Sequence, residues 1–499
     1  MNRSSGLLLA LSSLPSPYGI GDLGPSAYQF VDNLKEANQK YWQVLPLGVV
    51  DEFGCPYASF SAFGGEPLLL SPEKLVQDGL LKNELLSLFK FRENENTPVD
   101  YQKVRFSKYQ LLRQAYLEAK NLGWLRESFK NFVHKTEGWS RDFALFMTLS
   151  FQYGFEWWKW PAGLSQYNSK ELKHYKEQNS DEIEFHLFLQ FLFERQWQDL
   201  KSYANEKGIL VVGDIPIFVS KHSMDVWSRP EHFKLTSDYE LEYEAGAAPD
   251  DFSEIGQKWG TPLYYWDKME KEGFAWWIER MGHTFATFDL VRLDHFRGFC
   301  AVWEVPHQDI DARNGRWYPG PGAKLFDALV KRFGDLPIIV EDLGKITPDV
   351  IELKARYGFS GMKILQFAFC SDETNDNLPP YIGSKDIVYT GTHDTETVNG
   401  RFASLSSNSK EREFLHKTLK LNSKVNEYHW PLIEMAFESK ALMAFVPLQD
   451  LFGYRNEARM NVPGVQEGNW KWRFAFDELK PEMLNRLKEL TRSAKRNEI

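Results

Sequence analysis

Apolar and polar positions along this chain follow two periods. Short runs of Val, Ile, Leu and aromatic residues have the pattern of buried strands. Between them lie stretches in which apolar residues recur every three to four positions, the mark of helices with one covered face. Strands are predicted over 6–11, 40–47, 208–218, 287–294, 301–305, 337–342, 362–369 and 386–392. Helices over 26–35, 322–333, 347–357 and 409–421 fit between several of them. Strands alternating with helices, with long loops gathered at one end, predict an α/β fold: a (β/α)8 TIM barrel with large, mainly helical insertions at the strand C-terminal ends.

Two stretches interrupt the alternation. Over 72–206 the spacing is helical throughout, at 101–120, 138–153 and 181–207, so 50–206 is read as a helical insertion after strand 2. Residues 220–285, rich in Pro, Gly, Asp and aromatics, form a second insertion after strand 3. The whole of 1–499 is then one catalytic barrel, and the charged helical stretch 478–499 reads as a solvated cap. Trp157-Trp158-Lys159-Trp160 reads as the core of the first insertion rather than a binding stripe.

Several strand runs end in charge. Leu290-Val291-Arg292-Leu293-Asp294-His295-Phe296-Arg297-Gly298 stops in two arginines, an aspartate and a histidine. Ile338-Ile339-Val340-Glu341-Asp342 stops in two carboxylates, and Ile387-Val388-Tyr389-Thr390-Gly391-Thr392-His393-Asp394 in His-Asp. A single charged strand end is also what a solvated turn or a structural ion pair looks like. Three of them place carboxylates on the barrel rim where such folds carry their chemistry. Two carboxylates flanking a sugar linkage are the minimum for glycosidic bond exchange.

Composition narrows the partners. A net charge of −10 argues against a polyanion such as nucleic acid, and no apolar run is long enough to span a membrane. Cys55, Cys300 and Cys370 are too few and scattered for a disulfide framework or zinc site, which fits a reducing cytoplasm. The N-terminal apolar run leads into apparent fold with no cleavage site. The glycine-rich stretch 18–25 lacks phosphate-loop spacing and reads as the loop before the first helix. No metal, nucleotide or pyridoxal motif is present, so no cofactor is expected. Aromatics make up 15% of the chain, a share that serves cores as readily as sugar faces.

Ordered motifs then recur over nearly the full length. They include Trp42-Gln43-Val44-Leu45-Pro46-Leu47, Pro56-Tyr57, Gly213-Asp214-Ile215-Pro216, Pro249-Asp250 with Phe252-Ser253, and Gly256-Gln257-Lys258-Trp259-Gly260. Arg292-Leu293-Asp294-His295-Phe296-Arg297-Gly298, Glu341-Asp342-Leu343-Gly344, Gly391-Thr392-His393-Asp394 and Arg459-Met460-Asn461-Val462-Pro463-Gly464 complete the set. In this series the chain resembles the 4-α-glucanotransferases (amylomaltases, or disproportionating enzymes) of glycoside hydrolase family 77. The resemblance implies Asp294 as nucleophile, Glu341 as general acid/base and Asp394 as the third carboxylate, gripping sugar hydroxyls. It implies substrate contacts at Tyr57, Asp214, Asp250, Phe252, Gln257, Trp259, Arg292, His393 and Asn461, with 246–256 as a lid loop. It further implies transfer of α-1,4-glucan segments between maltooligosaccharides, in maltose, glycogen or starch metabolism.

The chain departs from the family pattern at Cys55, Ala58, His222, Asp251, Thr395 and Glu396, none of them one of the three carboxylates. Chemically, Arg292 shares a strand face with Asp294 and sets a cation beside it. Glu341 must hold a proton near neutral pH, which burial or a neighbouring carboxylate provides. Retention requires the two carboxyl groups ~5–5.5 Å apart. Two alternatives stand beside transfer: an α-amylase-like hydrolase, and a silent glucan-binding protein that would tolerate loss of the carboxylates. Chain-length preference, cyclic products and oligomeric state are not encoded in any motif.

Overall fold

The strands, in chain order, are β1 (Ser4–Leu8), β2 (Tyr41–Gln43), β3 (Leu210–Ile215), β4 (Tyr243–Ala247), β5 (Gln257–Pro262), β6 (Leu290–Leu293), β7 (Ala301–Pro306), β8 (Arg316–Pro319), β9 (Ile338–Val340), β10 (Met362–Ile364), β11 (Ile387–Tyr389) and β12 (Met443–Pro447). They belong to a computed structural model that describes residues 3–91, 94–124, 126–249, 253–370, 372–422 and 427–497. Eight of the strands form a parallel sheet in the order β10-β11-β12-β1-β2-β3-β6-β9. Its two edges meet through a parallel bridge between Ile339 and Ser360, where the Val340 N–H donates to the Ser360 carbonyl at 2.9 Å. The sheet therefore closes into the expected barrel.

Strand parity explains both the core and the site. Inward-facing residues of all eight strands, among them Leu8, Tyr41, Val212, Leu290, Ile339, Ile364, Tyr389 and Phe445, pack as a buried plug. Two residues further along the same inward faces stand Gln43, Asp214, Arg292 and Glu341. The polar residues of the rim are thus the next layer of the barrel interior. Gly6 makes room within the plug, since a Cβ there would lie 2.5 Å from the Tyr41 carbonyl and 2.9 Å from the Phe445 ring.

The helices between β2 and β3 include Tyr101–Leu122, Ser140–Tyr153 and Ser180–Glu206. Asp100 caps the first of these, accepting from the Lys103 N–H, and Gly123 ends it in the left-handed conformation. Trp157 and Trp160 are buried in the main core, consistent with their reading as packing residues. A second, antiparallel sheet in the order β5-β4-β7-β8 rises beside the barrel mouth.

Two assignments change. Residues 301–305 are not a barrel strand: they are β7, paired antiparallel with β4 and β8. The physical reason lies in the connection. A parallel neighbour requires a crossover of a dozen or more residues, and too few separate β6 from β7. The barrel is completed instead by β12, from an apolar run set between helices His429–Glu438 and Leu448–Phe452 and lacking a charged end. The C-terminal segment is also not a solvated cap. Leu484, Leu487 and Thr491 of helix Pro481–Ser493 are buried, as is Arg496 beyond it.

Candidate active site

The inward rim layer is held by one buried cation. Asp214 and Arg292 are register partners on β3 and β6. Arg292 Nη1 donates to both Asp214 oxygens at 2.8 and 2.7 Å, and to Asp294 Oδ1 at 2.9 Å. The Arg292 and Asp214 side chains are 4% and 0% exposed, whereas Asp294 keeps 25% of its side chain open. Arg292 and Asp214 are therefore supports, and Asp294 faces the cleft.

From Asp214 the network crosses the mouth. Tyr57 Oη donates to Asp214 Oδ2 at 2.9 Å and lies 2.8 Å from His393 Nε2, with the two rings stacked. His393 Nε2 is in turn 3.2 Å from Asp394 Oδ2. Asn461 Nδ2 donates to Asp394 Oδ1 at 2.6 Å, and Arg459 Nη2 to the Asp394 carbonyl at 2.9 Å. Burial acts against the charged form of Asp394, but His393 and Asn461 outweigh it and hold the carboxyl well below its usual range. Burial likewise opposes the His393 cation, yet Asp394 raises that imidazole above its ordinary value.

Glu341 follows β9. Its oxygens accept from the His295 N–H at 2.7 Å and the Leu343 N–H at 3.0 Å, while its own N–H donates to the Leu293 carbonyl. These bonds fix it against the segment bearing Asp294. Burial, and next the charge of Asp294, push its carboxyl up to about 7. Asp342, on the opposite strand face, accepts instead from Lys354 and from the Met362 N–H.

Trp259 packs edge-on against His295 at 4.7 Å between ring centroids, and its Nε1 donates to Gln257 Oε1 at 3.1 Å. His295 itself is in the left-handed conformation (φ 47°), a strained position for a non-glycine residue. Burial brings its imidazole down to about 4. Asp250, Asp251 and Phe252 lie outside the described residues. Where the chain departs from the family pattern, Thr395 Oγ1 accepts from the Thr392 N–H and donates to its carbonyl, and Glu396 accepts from Asn456.

Of the sequence-derived residues, Tyr57, Asp214, Arg292, Asp294, His393, Asp394 and Asn461 belong to one continuous network, with Glu341 against it and Gln257 and Trp259 alongside. Three further members carried no separate signal. Trp470 lies against Tyr57 and His393, Arg459 supports Asp394, and His295 joins Trp259 to the Glu341 segment. Arg459 and His295 lie within the ordered motifs, whereas Trp470 is one of 17 tryptophans.

Known proteins match the chain over nearly its whole length in sequence and in fold. Residues 9–478 match the family model for 4-alpha-glucanotransferase of glycoside hydrolase family 77. A 4-alpha-glucanotransferase of Thermus thermophilus is 42% identical over 504 residues, covering 99% of each chain. One of Synechocystis is 41% identical over 495 residues, covering 98% of this chain and 97% of its own. Among solved structures, the amylomaltase of Streptococcus agalactiae in complex with acarbose superposes with a TM-score of 0.95 at 34% identity, covering 99% of this chain and all of that one. These matches bear out the resemblance carried by the motifs, and they favour transfer over the hydrolytic alternative. The chain belongs to the 4-alpha-glucanotransferases of glycoside hydrolase family 77.

Proposed function

We propose that the chain moves α-1,4-glucan segments between maltooligosaccharides by a retaining double displacement at Asp294, with Glu341 as proton donor and acceptor. The observation that carries this reading is the contrast between the two carboxyl groups. Both are half-buried, but one is bonded to Arg292, while the other is held by backbone N–H groups against the Asp294 segment, and loss of solvent and the charge of Asp294 push it up to about 7. In the first step Asp294 attacks the anomeric carbon while Glu341 protonates the departing glucan oxygen. In the second, Glu341 takes a proton from the 4-hydroxyl of an acceptor sugar, which displaces Asp294. Asp394, held by His393 and Asn461, grips hydroxyls of the ring between them. Arg292 and Tyr57 fix that geometry, and buried Asp214 acts through both.

Tyr57, Gln257, Trp259 and Asn461, together with Asp250 and Phe252, line the subsites in this reading. Residues 246–256 form the lid that keeps water from the intermediate. Three free and scattered cysteines support a cytoplasmic enzyme. No described helix is long and apolar enough to cross a membrane.

Incubation with maltotriose tests the reading. Transfer yields a ladder of chains both longer and shorter than the substrate. Release of only shorter chains would replace transfer by hydrolysis, and no products at all would leave a binding protein.

A further inference from the structure

Two side chains hold Asp394, and one of them is itself only half restrained by hydrogen bonds. His393 is tethered at Nε2, which lies 2.8 Å from Tyr57 Oη and 3.2 Å from Asp394 Oδ2. Its buried Nδ1 has no hydrogen-bond partner among the described residues. A partner on the second nitrogen is what ordinarily fixes the orientation of an imidazole. A ring tethered at one nitrogen can swing about that tether, so packing on its faces must supply the missing restraint.

Two aromatic rings supply it. Tyr57 stacks on His393 at 5.2 Å between centroids, and Trp470 lies 6.1 Å from His393 and 5.7 Å from Tyr57. All three separations fall in the range where aromatic pairs attract. Tyr57 is anchored through Asp214, whereas Trp470 is anchored by its backbone. The Trp470 N–H donates to the Met460 carbonyl at 2.8 Å, and the Trp470 carbonyl accepts from Tyr101 Oη at 2.9 Å. Beside it, Asn469 accepts from the Val462 N–H at 3.0 Å and donates to the Val465 carbonyl at 2.7 Å, closing the loop that carries Asn461. Trp470 is 6% exposed, so its ring supports its neighbours rather than a sugar. With Pro56, Tyr101 and Met460 it also lines a cavity of about 40 Å³, so a shortened side chain here enlarges a void that already exists.

We infer that Trp470 is a positioning residue for the transfer reaction: its ring holds the His393 imidazole in the orientation that presents Asp394 to the sugar. The inference rests on the role proposed for Asp394. A grip on the sugar that tightens in the transition state is read in kcat more than in KM.

Fluoride release from maltosyl fluoride, with maltose as acceptor, gives kcat and KM for each variant. Trp470→Ala lowers kcat roughly 10- to 100-fold and leaves KM within about threefold of the parent. Trp470→Phe restores most of the loss, because a smaller ring still meets both partners. The decisive measurement repeats Trp470→Ala in a His393→Ala background. There the further loss in kcat is at least about threefold smaller than the loss in the parent. A tryptophan that served only the fold would cost the same factor in both backgrounds. Equal factors therefore overturn the inference, as does an unchanged kcat in Trp470→Ala. If Trp470→Ala does not fold, Trp470→Leu takes its place in the cycle. A parent that releases no fluoride would instead overturn the underlying reaction.

Discussion

Glu341 and Asp294 differ in what surrounds them, and the proposed reaction uses that difference to separate their tasks. Burial and the charge of Asp294 push the Glu341 carboxyl up to about 7, so the protonated form persists near neutral pH and is lost above it. The first step needs that proton. As pH rises through about 7, kcat/KM for glucan donors therefore falls. In Glu341→Gln, activity on glucans drops by ~10²–10⁴. Formation of the intermediate from a glycosyl fluoride, whose leaving group needs no proton, is largely retained, and its dependence on pH near 7 disappears. A stopped-flow burst of fluoride reads this directly; an equal loss on both donors would remove Glu341 from the acid role. Asp294→Asn costs on the order of 10⁴–10⁶ in turnover of either donor.

Among loops and strands, the segment that carries His393 and Asp394 is clamped at both ends by one buried carboxyl. Asp450 accepts from Thr390 Oγ1 and from the Val398 N–H, both at 2.7 Å. Between those ends, Thr395 closes the turn on Thr392, and Glu396 reaches Asn456 on the loop that also supplies Arg459 and Asn461. Asp450→Ala leaves two buried donors unpaired and destabilises the fold by ~1–3 kcal/mol. Burial pushes the Asp450 carboxyl up to about 6, from 3.8 in the unfolded chain. Between about pH 4 and 6 the folded protein keeps a proton that the unfolded chain has lost, so this group's contribution to stability declines as pH rises through that window. In Asp450→Asn the decline is absent, and the thermal midpoint gains on the parent from pH 4 to 6. A constant difference between the two would contradict the assigned burial.

The same elements show what was legible beforehand. Asp294, Glu341 and Asp394 stood at the ends of apolar runs, and strand parity alone put Arg292 and Asp294 on one face. Asp450 was not legible because β12 ends without charge, so nothing marked its exit loop as part of the site. Residues 301–305 have a strand's composition, but pattern alone does not name the partner; the short link from β6 does. Trp470 depends on contacts between segments more than 400 residues apart in the chain, beyond the reach of any local period.

For the molecule as a whole, closure links its two ends. Arg496 is fully buried and donates to the carbonyls of Ser4, Ala436, Phe437, Ser439 and Ala441, tying the C-terminal helix to β1 and to the lead-in of β12. The charged composition of 478–499 concealed this, because the helix hides only one face and Arg496 lies past its end. Arg496→Ala removes the donor that five buried carbonyls share, of which Phe437 and Ser439 keep Arg3 and Ala436 keeps Ser439 Oγ, and lowers unfolding free energy by about 2–4 kcal/mol. Arg496→Lys does not restore it, since an ammonium lacks the planar fork. Urea denaturation reads both variants, and a loss below about 1 kcal/mol would mean that the ends are held elsewhere.

In the proposed reaction the barrel mouth forms a covalent bond to sugar at one carboxylate and passes that sugar on. Reaction with a slow, ring-fluorinated maltosyl fluoride, followed by proteolysis and mass spectrometry, tests it. The expected product is a glycosyl adduct on the peptide containing Asp294, discharged when maltose is added. Turnover of the reagent with no adduct, or an adduct on Glu341 or Asp394 instead, would contradict it.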